Sequence, residues 1–558
     1  DTYADYEWYN SMSVTVTATD QGGLTYAKDF TISINDLAYA TPYAPDLIPW
    51  IGLQENANAG INAMLFGWTF DKDNDASTAL TITYSIIATD SVFASNYLEG
   101  TNWDEAHENI VNSSSAMITA VDKAFELISQ YTGITFVKVT ESSTQCGDIR
   151  IGLTSSSQVS VGISIVGTYI DTYNGGELWY SSDNADIWIN SSSVADFSTG
   201  GFGYMTILHE IGHSLGLKHP HDSFTNPSGW TSPALSSTYD HMGYSIMAYR
   251  DYPGDVTDDG HSAKNGTDDF YNYTYMTHDI WALRYLYSYN SQTSSYVTPN
   301  ITNDESHGIG GTGNNTYTIS GTNITGSFSI FDTGGVDTLD FSGQSLSSTI
   351  NLHQTLSYIG SSVINYDSGE YYTGLIIGIY YVGGIENVNA GSGNDIITCS
   401  SAANLINCGS GVDVVASIAS GDTINGNDDN DGFNISSNLF TLIDGGAGTD
   451  TLYLYHEYSA NSSGTYSGYI DLQTFTDAQL TNIENIDITY DGVATKLIVT
   501  KTSINNLEGN LVDVDGDGDG DNIVYITASS NDTITVFPDQ GWAYQGQGSG
   551  YYFYSTDS

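Results

Sequence analysis

Along most of this chain, apolar and polar residues alternate in short runs. Ser13-Val14-Thr15-Val16-Thr17-Ala18-Thr19 and Phe30-Thr31-Ile32-Ser33-Ile34 flank a turn at Asp20-Gln21-Gly22-Gly23, a pattern that predicts a β-hairpin. Further strands are predicted at 80–86, 134–139, 148–152 and 186–190. Three stretches break the alternation. Ile110, Met117, Ile118, Val121, Phe125 and Ile128 predict a helix over about 106–131. A second helix is predicted over about 203–217. A third covers about 277–289, with Ile280, Leu283, Leu286 and Tyr287 on one side.

From about 305 the pattern changes to short β pieces punctuated by Gly and Asp. Gly391-Ser392-Gly393-Asn394-Asp395 recurs 18 residues on as Gly409-Ser410-Gly411-Val412-Asp413. Asp413, Asp422 and Asp431 fall nine apart, and Asn404 stands midway between Asp395 and Asp413. Period nine doubled to 18 is what a parallel β-roll needs, one turn and one short strand per half-coil. Glycines supply the positive φ of the turns, and the Asp reaches a cation between them. Asp332-Thr333-Gly334-Gly335-Val336-Asp337-Thr338-Leu339-Asp340 and Gly445 to Asp450 are related segments. Asp513 to Asp521 alternates Asp and Gly and reads as a calcium loop or a solvated acidic turn. The loop 255–269 is a further calcium candidate.

Composition narrows the function. Against 66 Asp and Glu stand 11 Lys and Arg, a formal charge of −55. That field repels nucleic acid and anionic membranes, so nucleic-acid binding is excluded. No apolar run is long enough to span a bilayer. Apolar residues at 40 % suffice for packed cores. Three cysteines make no disulfide scaffold. Cys399 and Cys408 lie half a coil apart, and whether they could pair is left open. Bound calcium would both staple such a protein and screen its charge.

The strongest chemical signal is Tyr204-Met205-Thr206-Ile207-Leu208-His209-Glu210-Ile211-Gly212-His213-Ser214-Leu215-Gly216-Leu217-Lys218-His219-Pro220. His209 and His213 share one helix face and can bind one Zn²⁺. Gly216 lets the chain leave the helix sharply and brings His219 round as third ligand. Glu210 faces the open side of the metal, where it can take a proton from water. Three neutral imidazoles leave the zinc an open position, which is a hydrolytic arrangement. Downstream, Ser245-Ile246-Met247-Ala248-Tyr249 offers Met247 as an apolar floor and Tyr249 as a group for the metal or the oxyanion.

The helix motif and the Met-turn resemble the metzincin zinc endopeptidases. Asp148–Gly152, Asp186–Asn190, Met276–Tyr287, Phe331–Gly343 and Gly384–Gly391 extend the similarity to the serralysin branch, proteases with an RTX β-roll after the catalytic domain. The resemblance covers about 60–450. It implies a two-lobed α+β catalytic domain with a cleft, then an all-β parallel roll. An extended substrate would pair with an edge strand, for which Gly175–Tyr180 is the candidate. It also implies that Tyr249 ligates zinc at rest and moves to the tetrahedral intermediate. Calcium ligands carry over to Asp332, Asp337, Asp340, Gly391, Gly393, Asp395, Gly409, Gly411, Asp413 and Asp450. The 13–34 hairpin resembles the end of a cadherin-like β-sandwich, which implies a longer parent chain or a hairpin docked on the downstream part of this one.

The expected organisation is a cadherin-like remnant over 1–37, a linker over 38–59 and a catalytic domain over 60–300. The calcium-binding roll follows over 301–450 and a β extension over 451–558. The expected function is a secreted or cell-surface zinc endopeptidase acting on protein or peptide substrates, stabilised by several Ca²⁺. The alternative is a structural or adhesive protein of a larger cell-surface assembly, with the peptidase-like domain as one module. An intact Glu210 beside three histidines favours the enzyme.

Overall fold

The computed structural model describes residues 11–19, 25–33, 61–66, 80–91, 105–142, 146–166, 171–173, 176–178, 185–225, 231–250, 271–290, 295–319, 326–352, 356–359, 375–380, 384–454 and 470–489, a few positions inside these excepted, and isolated stretches from there to Ser555. The candidate loops 255–269 and 513–520 lie outside the described residues, as does the 20–23 turn.

Strands β1 (Ser11–Thr19) and β2 (Thr25–Ser33) pair antiparallel from Ser11↔Ser33 to Thr19↔Thr25. They form a two-stranded sheet of their own. The region expected to be catalytic is built on β3 (Thr81–Ile86), β4 (Ile110–Val111), β5 (Thr135–Lys138), β6 (Ile149–Thr154), β7 (Gly162–Val166) and β10 (Ala185–Asn190). Their order is β5-β3-β6-β10-β7, with β4 paired to β6. Every pairing along that path is parallel except β10 with β7. β6 and β10 are buried along their whole length, as central parallel strands covered on both faces must be.

Helix α1 runs from Ser115 to Thr132, so the predicted start near 106 was too early. Ser114 explains the difference: its side chain accepts from Met117 N–H and caps the helix there. Residues 107–109 form a 3₁₀ turn that leads into β4. Gly133, at φ 82°, ends α1. Helix α2 (Phe202–Ser214) packs against α1, β7 and β10, with Ile207, Leu208 and Ile211 fully buried. Helix α3 (Thr277–Tyr287) packs against α1. Two tyrosines near α3 donate to carbonyls on and just past α2: Tyr275 to Leu208 and Tyr287 to Leu215.

Beyond residue 305 the chain climbs through two facing sheets. Strands 387–389, 405–407, 423–425, 442–444 and 480–481 belong to one; 396–398, 414–418, 432–435, 451–453, 485–487 and 525–527 belong to the other. All these neighbours pair parallel, and Asn387↔Leu405↔Thr423 and Ile396↔Val414↔Gly432 step by 18. The architecture is consistent with the expected roll. The middle residues Val388, Ile397, Ile406, Val415, Ile424, Phe433, Ile443 and Leu452 are all 0 % exposed and stack between the sheets. Both sheets continue past 450, so the expected division there is not where the coil stops: 485–487 pairs with 451–453, and 525–527 pairs with 485–487. Both buried cysteines, Cys399 and Cys408, are unbridged. No helix among the described residues is long and apolar enough to cross a membrane.

Candidate active site

α2 delivers His209 and His213 one turn apart, and the chain then reverses at Gly216, whose φ is 98°. A side chain in that left-handed conformation would be strained, so glycine makes the reversal. The reversal places His219 beside the first two histidines. His219 Nε2 lies 3.3 Å from His209 Nε2 and 3.0 Å from His213 Nε2.

The opposite ring nitrogens fix the proton positions. His209 Nδ1 is 2.8 Å from the Ile246 carbonyl, and His213 Nδ1 is 2.8 Å from the Leu217 carbonyl. A carbonyl can only accept, so both Nδ1 atoms carry the proton. His219 Nδ1 meets Asp222 Oδ2 at 3.2 Å. Three Nε2 lone pairs therefore converge on one point, an arrangement that is repulsive without a cation between them. In a tetrahedral zinc site with Zn–N near 2.0–2.1 Å, neighbouring nitrogens stand about 3.3 Å apart. The donor set fits zinc in number, chemistry and spacing. Burial lowers the pKa of His213 to about 3 and that of His219 to about 2, which keeps the lone pairs free of protons.

Glu210 is 6 % exposed, and its Oε2 has no hydrogen-bond partner. Burial raises its pKa to about 8. The Tyr249 ring is 46 % exposed and lies 4.2 Å from the His219 ring and 5.8 Å from that of His209, stacked on the latter at 13°. Met247 is fully buried beneath the histidines, its sulfur against Gly212 of α2. All the residues expected at the zinc site thus come together.

Several supporting groups escaped the sequence reading. Asp222 holds His219 and stands only three residues on. Asp279 of α3 accepts from Ser245 Oγ at 2.7 Å, Ile246 N–H at 2.8 Å and Met276 N–H at 2.9 Å, so it anchors Ile246, the residue whose carbonyl holds His209. Gly162 of β7 faces Glu210. Of the expected edge strand Gly175–Tyr180, residues 176–178 are among the described residues. Among the described residues, Gly176–Leu178 (β9) pairs antiparallel with Asp171–Tyr173 (β8) in a two-stranded sheet, and β5 and β7 are the two edges of the larger sheet.

The acidic positions of the coil form a ladder. Asp395 N–H donates to Asp413 Oδ1 at 2.6 Å, Asp413 N–H to Asp431 Oδ1 at 2.9 Å, Asp431 N–H to Asp450 Oδ1 at 2.7 Å and Asp450 N–H to Glu484 Oε2 at 2.8 Å. The second oxygens of Asp337, Asp413, Asp431 and Asp450 are buried without a partner. Burial raises Asp413 to about 8, Asp431 to about 7 and both Asp337 and Asp450 to about 6. Orphaned buried oxygens of this kind suit a hard cation.

Other expected calcium ligands are placed differently. Asp395 accepts from Ser348 and Gly391 N–H, Asp332 from Gly334 N–H and Tyr317 hydroxyl, and half-buried Asp340 from Ser342 N–H. Gly391, Gly393, Gly409 and Gly411 sit where a β-carbon would strike a neighbouring backbone. Among the described residues, clusters of three or more His, Cys, Asp or Glu side chains able to share a metal occur only at the histidines.

Comparison with known proteins agrees with this geometry. The model of metallo-peptidase family M12 matches residues 126–257. The chain is 30 % identical over 224 residues to the metalloprotease AprA of Pseudomonas entomophila, covering 40 % of this chain and 41 % of that protein. It is 32 % identical over 223 residues to a serralysin of Photorhabdus luminescens, covering 38 % and 40 %. With a serralysin of Photorhabdus laumondii it shares 28 % over 338 residues, covering 58 % and 60 %. The matches thus span about two to three fifths of these relatives' length. The chain carries a metallopeptidase domain of family M12 and is, over that region, a serralysin-like metzincin.

Proposed function

We propose that this protein is a calcium-stabilised zinc endopeptidase that works outside the cell on protein or peptide substrates. The observation that carries the reading is the convergence of three Nε2 atoms, with both helix histidines fixed as Nδ1–H tautomers by carbonyls. His209, His213 and His219 would hold zinc. When bound, the ion supplies Lewis acidity, which lowers the pKa of water and polarises the scissile carbonyl.

The chain's own groups do the rest. Among the described residues one edge of β7 is unpaired, and an extended peptide can add to it as a further strand. That strand runs past Glu210. The positive charge of bound zinc would offset the burial of Glu210 and favour its ionised form, and that carboxylate takes a proton from the attacking water and passes it to the amine as the C–N bond breaks. Tyr249, at the mouth of the site, would donate to the developing oxyanion. Asp337, Asp413, Asp431 and Asp450 would hold calcium between turns, with backbone carbonyls of the glycine turns completing the shell. Casein hydrolysis by the wild type beside Glu210→Ala, with zinc content measured for both, tests the reading.

A further inference from the structure

Lys218 stands between the second and third histidines and is 1 % exposed. Its ammonium group lies in a cage of main-chain carbonyls: Asp222 at 2.5 Å, Ala63 at 2.6 Å, His219 at 3.1 Å and Pro233 at 3.4 Å. These carbonyls come from three separate stretches. The same stretches are laced together around the cage by Lys218 N–H to Met64 carbonyl at 2.8 Å, Ser232 Oγ to Asn62 carbonyl at 2.6 Å and Leu235 N–H to Pro220 carbonyl at 2.7 Å.

A buried ammonium has three N–H donors to place and a large desolvation cost if they are unplaced. Carbonyl dipoles aimed at it satisfy both demands. Two of them, from His219 and Asp222, are the two ends of the short loop that carries the third ligand and its carboxylate partner. One nitrogen atom therefore pins that loop at both ends.

Resting on the zinc-peptidase reading, we infer that Lys218 is a positioning residue for the third metal ligand. Its ammonium is a built-in cation that holds 219–222 so that His219 Nε2 meets the other two imidazoles and Asp222 reaches His219 Nδ1. Lys218 touches neither substrate nor metal. A neutral side chain of similar length leaves the carbonyls facing one another with no donor between them, and the loop opens.

The test is a double-mutant cycle on zinc affinity, with zinc titrated against a chromophoric chelator at pH 7, using the full chain as wild type, Lys218→Met, His219→Ala and the double variant. Supporting groups of this kind are worth ~10–100-fold in metal affinity. Lys218→Met should therefore weaken zinc binding about tenfold or more, and that loss should vanish in the His219→Ala background. Unchanged affinity in Lys218→Met overturns the inference, and so does an equal loss in both backgrounds. A wild type that binds no zinc instead sinks the peptidase reading itself. Lys218→Ala supplies a second arm, with methylammonium offered as a guest for the vacated cage. Recovery of zinc affinity with the guest supports the assignment, and indifference to it overturns it.

Discussion

A β-carbon on Gly162 would lie 2.5 Å from Oε1 of Glu210. β7 and the proposed general base thus occupy adjoining space, and glycine alone leaves room for the carboxylate. Gly162→Ala should keep zinc and fold but push Glu210 aside. A displacement of about 1 Å can cost ~100-fold in rate. Gly313→Ala, where nothing lies within 4 Å, is the control. Equal turnover in the two variants would contradict the placement.

Glu210→Ala removes only the proposed base. Zinc content should stay at the wild-type level while peptidase turnover falls by ~10²–10⁴-fold. Metal analysis beside a casein assay reads both. Near-normal turnover would remove Glu210 from the mechanism.

Asp279→Ala leaves the Ile246 and Met276 amides and the Ser245 hydroxyl without their buried acceptor. Each orphaned donor costs about 1–3 kcal/mol. The melting temperature should drop by several degrees, and zinc should bind more weakly because the Ile246 carbonyl no longer steadies His209. A stable variant with wild-type zinc affinity would count against that chain of contacts.

Calcium dependence is expected in the coil. With no cation present, the ionised forms of Asp413 and Asp431 are buried in a low-dielectric neighbourhood and repel each other. A calcium-selective chelator should lower the melting temperature of the coil. Asp413→Asn should melt higher than the wild type in chelator and gain less from added calcium. Circular dichroism melts with and without calcium decide it, and a wild type indifferent to chelator would refute calcium binding.

A pH effect is expected where the catalytic region meets the coil. Asp304 takes Lys123 at 2.6 Å and His307 at 2.9 Å. Burial pushes its carboxyl up, but Lys123, Ser306 and His307 outweigh that and hold it well below the usual range. A carboxyl depressed in the fold stabilises above its unfolded pKa of about 3.9, and that stability fades as pH falls toward the folded value. The stability difference between wild type and Asp304→Asn should be full at pH 6 and shrink below about pH 4. A difference constant with pH would exclude the mechanism.

How much was legible in the sequence depends on how local the cause is. Spacing four on a helix and a glycine reversal are local, so His209, His213, Gly216 and His219 could be read directly. The coil was legible through its period of 18, and it faded where the period did. At 427 and 429, the slots of Gly409 and Gly411 are filled by Asn427 at φ 73° and Asp429 at φ 75°. Asn and Asp tolerate that conformation, but a search for glycine passes over them. Glu386 and Glu484 serve as ladder acceptors in place of Asp. Gly162, Asp279 and the Lys218 cage were not legible, because each depends on at least one partner tens of residues away — Glu210, Ser245 and Ile246, and Ala63 — that only packing brings in.

The carboxyl-to-amide ladder also says where this protein can absorb new sequence. Its successive rungs bridge 18, 18, 19 and then 34 residues. What repeats is a distance in space, one strand spacing along the coil axis, and not a count along the chain. Extra residues inserted between rungs leave the register of the sheets intact so long as an amide still finds a carboxylate in the next turn. The stretch between Asp450 and Glu484 is already such an expansion, which makes it the natural point for grafting a foreign segment without unwinding the turns on either side.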